Sequence, residues 1–215
     1  MILLLKRMDL HEDIFRPLLR IFRRGRMRQF VQIMGVTEAT SIIDLGGLPP
    51  VWSLIDANPQ VTMVNIGAPE WSDGKLRMVS ASGTDVPFPE NAFDICFSNS
   101  VIEHVGGEVE RRAFAGEVRR LARRYWVQTP NRRFFIEPHL LTAFLHWLPR
   151  GIERRLVRRL SLWGLITKPS LSEIDAFLGS IDLLDAADLQ TLFPDAEIMR
   201  ERFCWMVKSL VAIKK

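Results

Sequence analysis

Between residues 41 and 130, short runs that are apolar on both faces alternate with stretches of helical periodicity. The runs are "SIIDL" (41–45), "VTMVNI" (61–66), "LRMVSA" (76–81), "AFDICFSNS" (92–100) and "YWVQTP" (125–130), with helices expected over 50–57 and 107–123. A strand without a polar face belongs inside a sheet covered on both sides, and strands separated by helices pair in parallel through right-handed crossovers. The spacing therefore predicts a doubly wound α/β fold. Residues 131–180 break the rhythm with a proline-containing loop and helices rich in Leu, Trp and Arg. A helical insertion there, past the carboxyl end of a strand, is where such folds build lids. The chain then gives a helix in "LLDAADLQTLF" with an Asp cap, followed by "AEIMRERF" and "CWMVKSLVAIKK". These last two runs are joined too tightly for a crossover and must pair antiparallel. The expectation is a Rossmann-like, mostly parallel seven-stranded sheet with an antiparallel last strand and a helical insertion.

At 215 residues, 1–215 reads as one domain, with a leading segment over 1–36 and the insertion over 131–180. Residues 9–34 carry Ile14, Leu18, Ile21, Phe22, Phe30, Ile33 and Met34 at helical spacing, with Arg16, Arg20, Arg23 and Arg24 on the other faces and Gly35 as a stop. Such a helix can dock on its own sheet, the preferred reading, or touch a membrane surface. The net charge of +4 comes mainly from arginine clusters, which admit an anionic partner without choosing one. Cys96 and Cys204 lie apart in apolar runs and read as buried free thiols, consistent with a cytoplasmic setting. In the opening "MILLLKRMDL" the charges follow the apolar run, so no secretory leader is expected, and no stretch has the length of a membrane span.

Ligands of a doubly wound sheet sit at the carboxyl ends of its strands. Four predicted strands end in small or polar residues there: Asp44 with Gly46 and Gly47; Asn65; Ser82, Gly83 and Thr84 with Asp85; and Ser98 with Asn99, followed by Glu103 and His104. Glycine lets a backbone approach a ligand or adopt a turn closed to other residues. Asp94, opening the fourth of these strands, reads as a structural anchor for a neighbouring amide.

The run "TDVPFPENAFDICFSNSVIEHV" resembles the central segment of class I S-adenosylmethionine-dependent methyltransferases of type 11, and "IIDLGG" resembles their first motif. "VQTPNRRFFIEPH" is similar to a bacterial subgroup acting in saccharide or lipid biosynthesis. The resemblance implies S-adenosylmethionine as cofactor. It implies Asp44, Gly46 and Gly47 beside its methionine and ribose, Asn65 at the ribose, Ser82 to Thr84 near the adenine, and Ser98 and Asn99 beneath the sulfonium. The sequence departs from the family where Pro49 and Pro50 replace a third glycine, Asn65 an acid and Ser82 an aspartate. Prolines remove backbone donors, a loss that matters less for a ligand without phosphate.

Methyl transfer is chiefly in-line alignment, with a base needed when the acceptor is a hydroxyl. His104 and His139 are the candidate bases, with Glu137 beside the second, and Arg132 and Arg133 are candidates for an anionic group of the acceptor. The histidines lack metal-ligand spacing, so no metal is expected. Phe134, Phe135, Phe144 and Trp147 can line an apolar pocket or form plain core. The leading expectation is O-methylation of a saccharide, lipid-linked glycan or similar small molecule. A cofactor-degenerate binding protein and an RNA methyltransferase are the alternatives; a single tyrosine and mostly interior aromatics speak against nucleic acid.

Overall fold

The computed structural model describes residues 23–137, 140 and 142–215. Its centre is an eight-stranded sheet built from β1 (Ser41–Leu45), β2 (Gln60–Val64), β3 (Trp71–Asp73), β4 (Leu76–Val79), β5 (Phe93–Asn99), β6 (Ala122–Pro130), β9 (Glu197–Phe203) and β10 (Met206–Lys214). The strand order is β3-β4-β2-β1-β5-β6-β10-β9. The five strands from β4 to β6 run parallel, and β10 pairs antiparallel with both β6 and β9.

The strand beyond the expected seven is β3, which pairs antiparallel with β4 at the sheet edge. Its signal is the Asp73-Gly74 pair, where Gly74 takes a φ of +56° and lets the chain fold straight back. The sequence reading passed over it because only three residues pair.

Successive residues of the central strands divide between two cores, which is why these strands read as apolar on both faces. Ile43, Leu45, Cys96, Tyr125, Val127, Leu210 and Ala212 pack with Phe114, Val118 and Leu121 of α3 (Glu108–Leu121) and with Leu189 and Leu192 of α7 (Ala186–Leu192). Ile42, Ile95, Phe97, Trp126, Val211 and Ile213 face the other way, onto Met27, Phe30 and Met34 of α1 (residues 23–34) and Trp52 of α2 (Pro49–Trp52). The leading helix thus docks on the sheet. Its expected first part, 9–22, lies outside the described residues. Gly35, at φ +62°, ends the helix as expected. The α2 helix is shorter than the 50–57 expected, and Pro49 and Pro50 form its first turn, where their missing N–H groups cost no hydrogen bond.

The insertion carries a two-stranded ribbon, β7 (Ile136–Glu137) with β8 (Thr142–Ala143), and helices α4 (Arg150–Leu160), α5 (Leu162–Thr167) and α6 (Leu171–Gly179). It has a small core of its own around Leu140, Leu145, Val157, Ile174 and the stacked rings of Trp163 and Phe177, 4.4 Å apart. Downstream, Asp185 caps α7 in a reciprocal box with Asp188, as the sequence predicts. Cys96 is buried, but Cys204 is exposed, because it occupies the β9–β10 turn at φ +53° rather than a strand. Asp94 holds the start of β1, accepting from the Ser41 amide at 2.8 Å and its hydroxyl at 2.7 Å.

One side chain ties α1 across four strands. The Arg26 guanidinium donates to both carboxylate oxygens of Glu201 on β9 (2.9 and 2.7 Å), to Asn99 Oδ1 at the end of β5 (2.7 Å) and to Gln128 Oε1 on β6 (3.0 Å), and lies 3.4 Å from Ser209 Oγ on β10. Burial pushes the Glu201 carboxyl up, but Arg26 outweighs it and holds the pKa below the ordinary value. Breaking such a buried pair leaves an uncompensated charge, whereas replacing both partners need not destabilise. Arg26→Met should therefore lower stability by about 3 kcal/mol in denaturant unfolding, and the Arg26→Met, Glu201→Met double variant should recover most of that loss.

Candidate active site

The chain runs outward from β1 to β2 and β4, then returns to place β5 against the other side of β1. The crevice of a doubly wound fold opens at this reversal. The Gly46-Gly47 turn, Asn65, the Ser82–Thr84 loop, and Asn99 with Ser100 all follow the carboxyl ends of these neighbouring strands.

Both glycines are demanded by local packing. Gly46 has φ +80°, and a Cβ there would lie 2.4 Å from a methyl of Val101, which follows β5. A Cβ on Gly47 would lie 2.1 Å from Asp44 Oδ2. The Asp44 carboxylate sits beneath the turn, 2% exposed, and accepts from the Trp52 indole at 2.9 Å. Burial pushes its pKa up to about 7, only partly offset by the indole hydrogen bond. Gly83 abuts the Phe114 ring, at 2.9 Å from its hypothetical Cβ. The Ser98 hydroxyl is fully buried and donates to the Leu45 carbonyl at 3.0 Å, joining β5 to β1.

Asn65, Ser82, Thr84 and Asn99 are half-buried, with Ser82 Oγ and Thr84 Oγ1 2.7 Å apart and Asn99 held by Arg26. Ser100 adopts φ +57°, a left-handed conformation uncommon outside glycine, and its hydroxyl donates to Gln128 Oε1 at 2.9 Å. Amide and hydroxyl groups over a buried carboxyl form an acceptor-rich set, suited to a cationic ligand with ribose hydroxyls and an amino group to donate. The residues fit S-adenosylmethionine.

A second group of polar side chains surrounds a cavity of about 150 Å³ in the insertion, lined by Arg132, Glu137, His146, Arg150, Glu153 and Asp182 among apolar neighbours such as Leu140 and Phe177. Glu137 and Glu153 are both buried. Burial raises the Glu153 pKa, Arg150 opposes that rise, and the Glu137 charge adds to it. His146 Nε2 lies 3.2 Å from the Arg132 carbonyl, while its Nδ1 is buried without a hydrogen-bond partner. The carbonyl can only accept, so Nε2 carries a proton, and in the neutral ring the lone pair is then on Nδ1.

The expected site residues thus fall into two groups. His104 is exposed beside the insertion, its Nδ1 3.2 Å from the Ser180 carbonyl, and the Glu103 carbonyl accepts from the Asp182 amide. Glu137 lies on the cavity wall, and His139 is outside the described residues. Arg132 and Arg133 both donate to Asp185 Oδ2, at 2.8 and 3.0 Å. Burial pushes the Asp185 carboxyl up, yet the Asp188 amide and the two arginines prevail and hold it at about 2. Sequence reasoning missed Arg26, Trp52 and His146. Trp52 had a signal in its place one turn after the glycines; Arg26 is one of several arginines in a basic run. Phe144 and Trp147 are neither core nor pocket lining, since both are largely exposed.

Residues 51–124 match a family model described as a methyltransferase domain, a stretch holding Asn65, Ser82–Thr84, Ser98, Asn99 and His104. Over this third of the chain the sequence is similar to methyltransferase domains. No curated protein matches the sequence. Among solved structures, it is similar to a 1,6-didemethyltoxoflavin N1-methyltransferase of Burkholderia thailandensis, with 13% identity over 97% of this chain and 86% of the other and a TM-score of 0.56; that enzyme was solved with S-adenosylhomocysteine bound. It is also similar to a putative O-methyltransferase of Nostoc punctiforme (10% identity, 93% of this chain and 59% of the other, TM-score 0.53). A third likeness is to a Rhodobacter sphaeroides protein described as a putative zinc-dependent alcohol dehydrogenase (13% identity, 83% and 84%, TM-score 0.53). Identities this low show the fold alone, and one fold carries many reactions.

The buried carboxyl of Asp44 has a thermodynamic signature. In the unfolded chain Asp44 loses its proton near the ordinary value of 3.8, but in the folded chain only near 7. Between those values the folded state binds more protons, so stability falls as pH rises, by up to about 1.4 kcal/mol per unit. Asp44→Asn lacks this group. Denaturant midpoints at pH 5 and pH 7.5 should therefore shift in favour of the variant, relative to wild type, by about 2 kcal/mol or more.

Proposed function

We propose that this methyltransferase acts on a hydroxyl oxygen of a small acceptor, a saccharide or lipid-linked glycan, seated in the insertion cavity. The observation that carries the reading is His146, a residue lining the cavity, whose Nδ1 is buried without a hydrogen-bond partner while Nε2 meets the Arg132 carbonyl. An imidazole fixed in this tautomer is oriented to accept a hydroxyl proton. Bound S-adenosylmethionine supplies an electrophilic methyl group on a sulfonium. Asn65 would hold a ribose hydroxyl, and the Ser82–Thr84 loop the adenine edge. Glu137, Glu153 and Arg150 would take further acceptor hydroxyls, which suits a hydroxyl-rich ring better than an apolar one. As the acceptor oxygen gains the methyl group, its proton passes to His146 Nδ1.

A second reading has a specific observation behind it. Asp44 and Ser98 are closed into the fold by Trp52 and by the Leu45 carbonyl, which favours a cofactor-degenerate relative acting as a binding protein.

Calorimetric titration with S-adenosylmethionine and S-adenosylhomocysteine separates the two. Micromolar binding, weakened about tenfold by Asn65→Ala, is expected of the enzyme, one good hydrogen bond being worth roughly that factor. Affinity no better than millimolar for both ligands would leave the degenerate reading. In methyl-transfer assays over a panel of free and lipid-linked saccharides, His146→Gln should lower turnover about a hundredfold or more, with cofactor affinity unchanged.

A further inference from the structure

The insertion exposes aromatic rings that a soluble enzyme would ordinarily bury. Phe144 is 55% and Trp147 48% exposed, and Leu148 and Ile152 continue the apolar surface onto the start of α4. The rings form a connected strip. Trp147 meets Phe144 at 5.3 Å between centroids, Phe144 meets Phe135 at 5.8 Å, Phe135 meets Phe134 at 4.8 Å, and Phe134 meets Phe203 at 6.4 Å. Two residues beyond Phe203, Trp205 stands 83% exposed in the β9–β10 turn. Phe144 holds φ +64°, a left-handed conformation uncommon for a bulky residue.

Positive charge accompanies the strip. On α4, Glu153 and Val157 are buried, and the opposite face carries Ile152, Arg155 and Arg159, with Arg158 also exposed. Exposed Arg133 adjoins Phe134 in its loop, and exposed Arg202 adjoins Phe203 at the end of β9. Interleaved aliphatic, aromatic and arginine side chains on one helix face and its flanking loops are the composition of an interfacial segment, whose arginine stems lie along the apolar boundary while their heads meet anionic headgroups.

We propose that this face of the insertion docks on an anionic lipid membrane, with the aromatic strip at the headgroup level and Arg155 and Arg159 over the acidic lipid. RNA fits less well, because Leu148 and Ile152 offer bases nothing to stack on. The contact differs from the one expected through the leading helix, since Met27, Phe30 and Met34 of that helix face the sheet. It does not depend on methyl transfer, so its failure and the failure of the enzyme reading are separate outcomes.

The test is flotation of the full chain with vesicles of phosphatidylcholine containing about a third phosphatidylglycerol, against phosphatidylcholine alone. Wild type should float with the anionic vesicles only and be released as salt rises well above ~0.1 M. Phe144→Ser with Trp147→Ser should weaken binding about tenfold or more, and Arg155→Gln with Arg159→Gln should weaken it and flatten the salt dependence. All these side chains are on the surface, and circular dichroism and thermal unfolding would confirm folded variants. Wild type that stays with neither vesicle overturns the proposal, as does full binding by both variants. Release by a uridine oligonucleotide that the Phe144, Trp147 variant still binds would assign the arginines to RNA and overturn it equally.

Discussion

The turn after β1 works because a carboxyl group is buried under a glycine. Asp44 lies where a Gly47 side chain would be, and the Trp52 indole satisfies one of its oxygens. An acid 2% exposed must be hydrogen-bonded or neutral, and Asp44 is partly both, with its pKa pushed up to about 7. That contact fixes where α2 begins. With α2 fixed, Trp52 completes the aromatic group of Phe30, Phe97 and Trp126 on which the leading helix packs. The helix in turn carries Arg26 to the ends of β5 and β6. A polar contact at one strand end thus reaches both the cover of the sheet and the far strands.

The same constraint explains the departures from the family's glycine pattern. A third glycine serves a loop whose backbone must stay free of side chains. Here Pro49 and Pro50 already belong to α2, and the chain turns within Gly46 and Gly47. What the prolines withhold in backbone donors is of little consequence to a ligand that offers a sulfonium and a ribose. Asn65 and Ser82 keep hydrogen-bonding capacity at their strand ends while giving up charge.

The strands were legible because burial on both faces writes itself into composition: Ile42 and Ile43 must both be apolar when each faces a different core. The α7 cap was legible because Asp185 and Asp188 act three residues apart. Pairings distant in sequence were not. Nothing near Arg26 marks it as the partner of Glu201, 175 residues away. His146 was invisible for a related reason: its ring is oriented by a backbone carbonyl, and any residue at position 132 supplies one. Cys204 read as core because its neighbours are apolar, although Trp205 beside it is itself exposed.

The arginine excess takes on meaning once its members are sorted by what they touch. Arg26 serves Glu201, Arg120 serves Glu117, Arg132 and Arg133 serve Asp185, and Arg154 serves Asp175. These act inside the molecule: Arg26 ties α1 to β9, Arg120 and Glu117 lie one turn apart on α3, Arg154 joins α4 to α6, and the Asp185 pair steadies the start of α7. An exposed pair such as Arg154 with Asp175 adds little stability individually. Such pairs nevertheless neutralise charge, so a run such as "RGIERRLVRR" does not present its full positive charge outward. What it presents is the remainder, Arg155, Arg158 and Arg159, on the face of α4 away from Glu153 and Val157. Net charge therefore says less about partners than the geometry of the charges left over. In this chain they border the exposed rings of the insertion, whereas in the cavity within it Arg132 and Arg150 stand among Glu137, Glu153, Asp182 and His146.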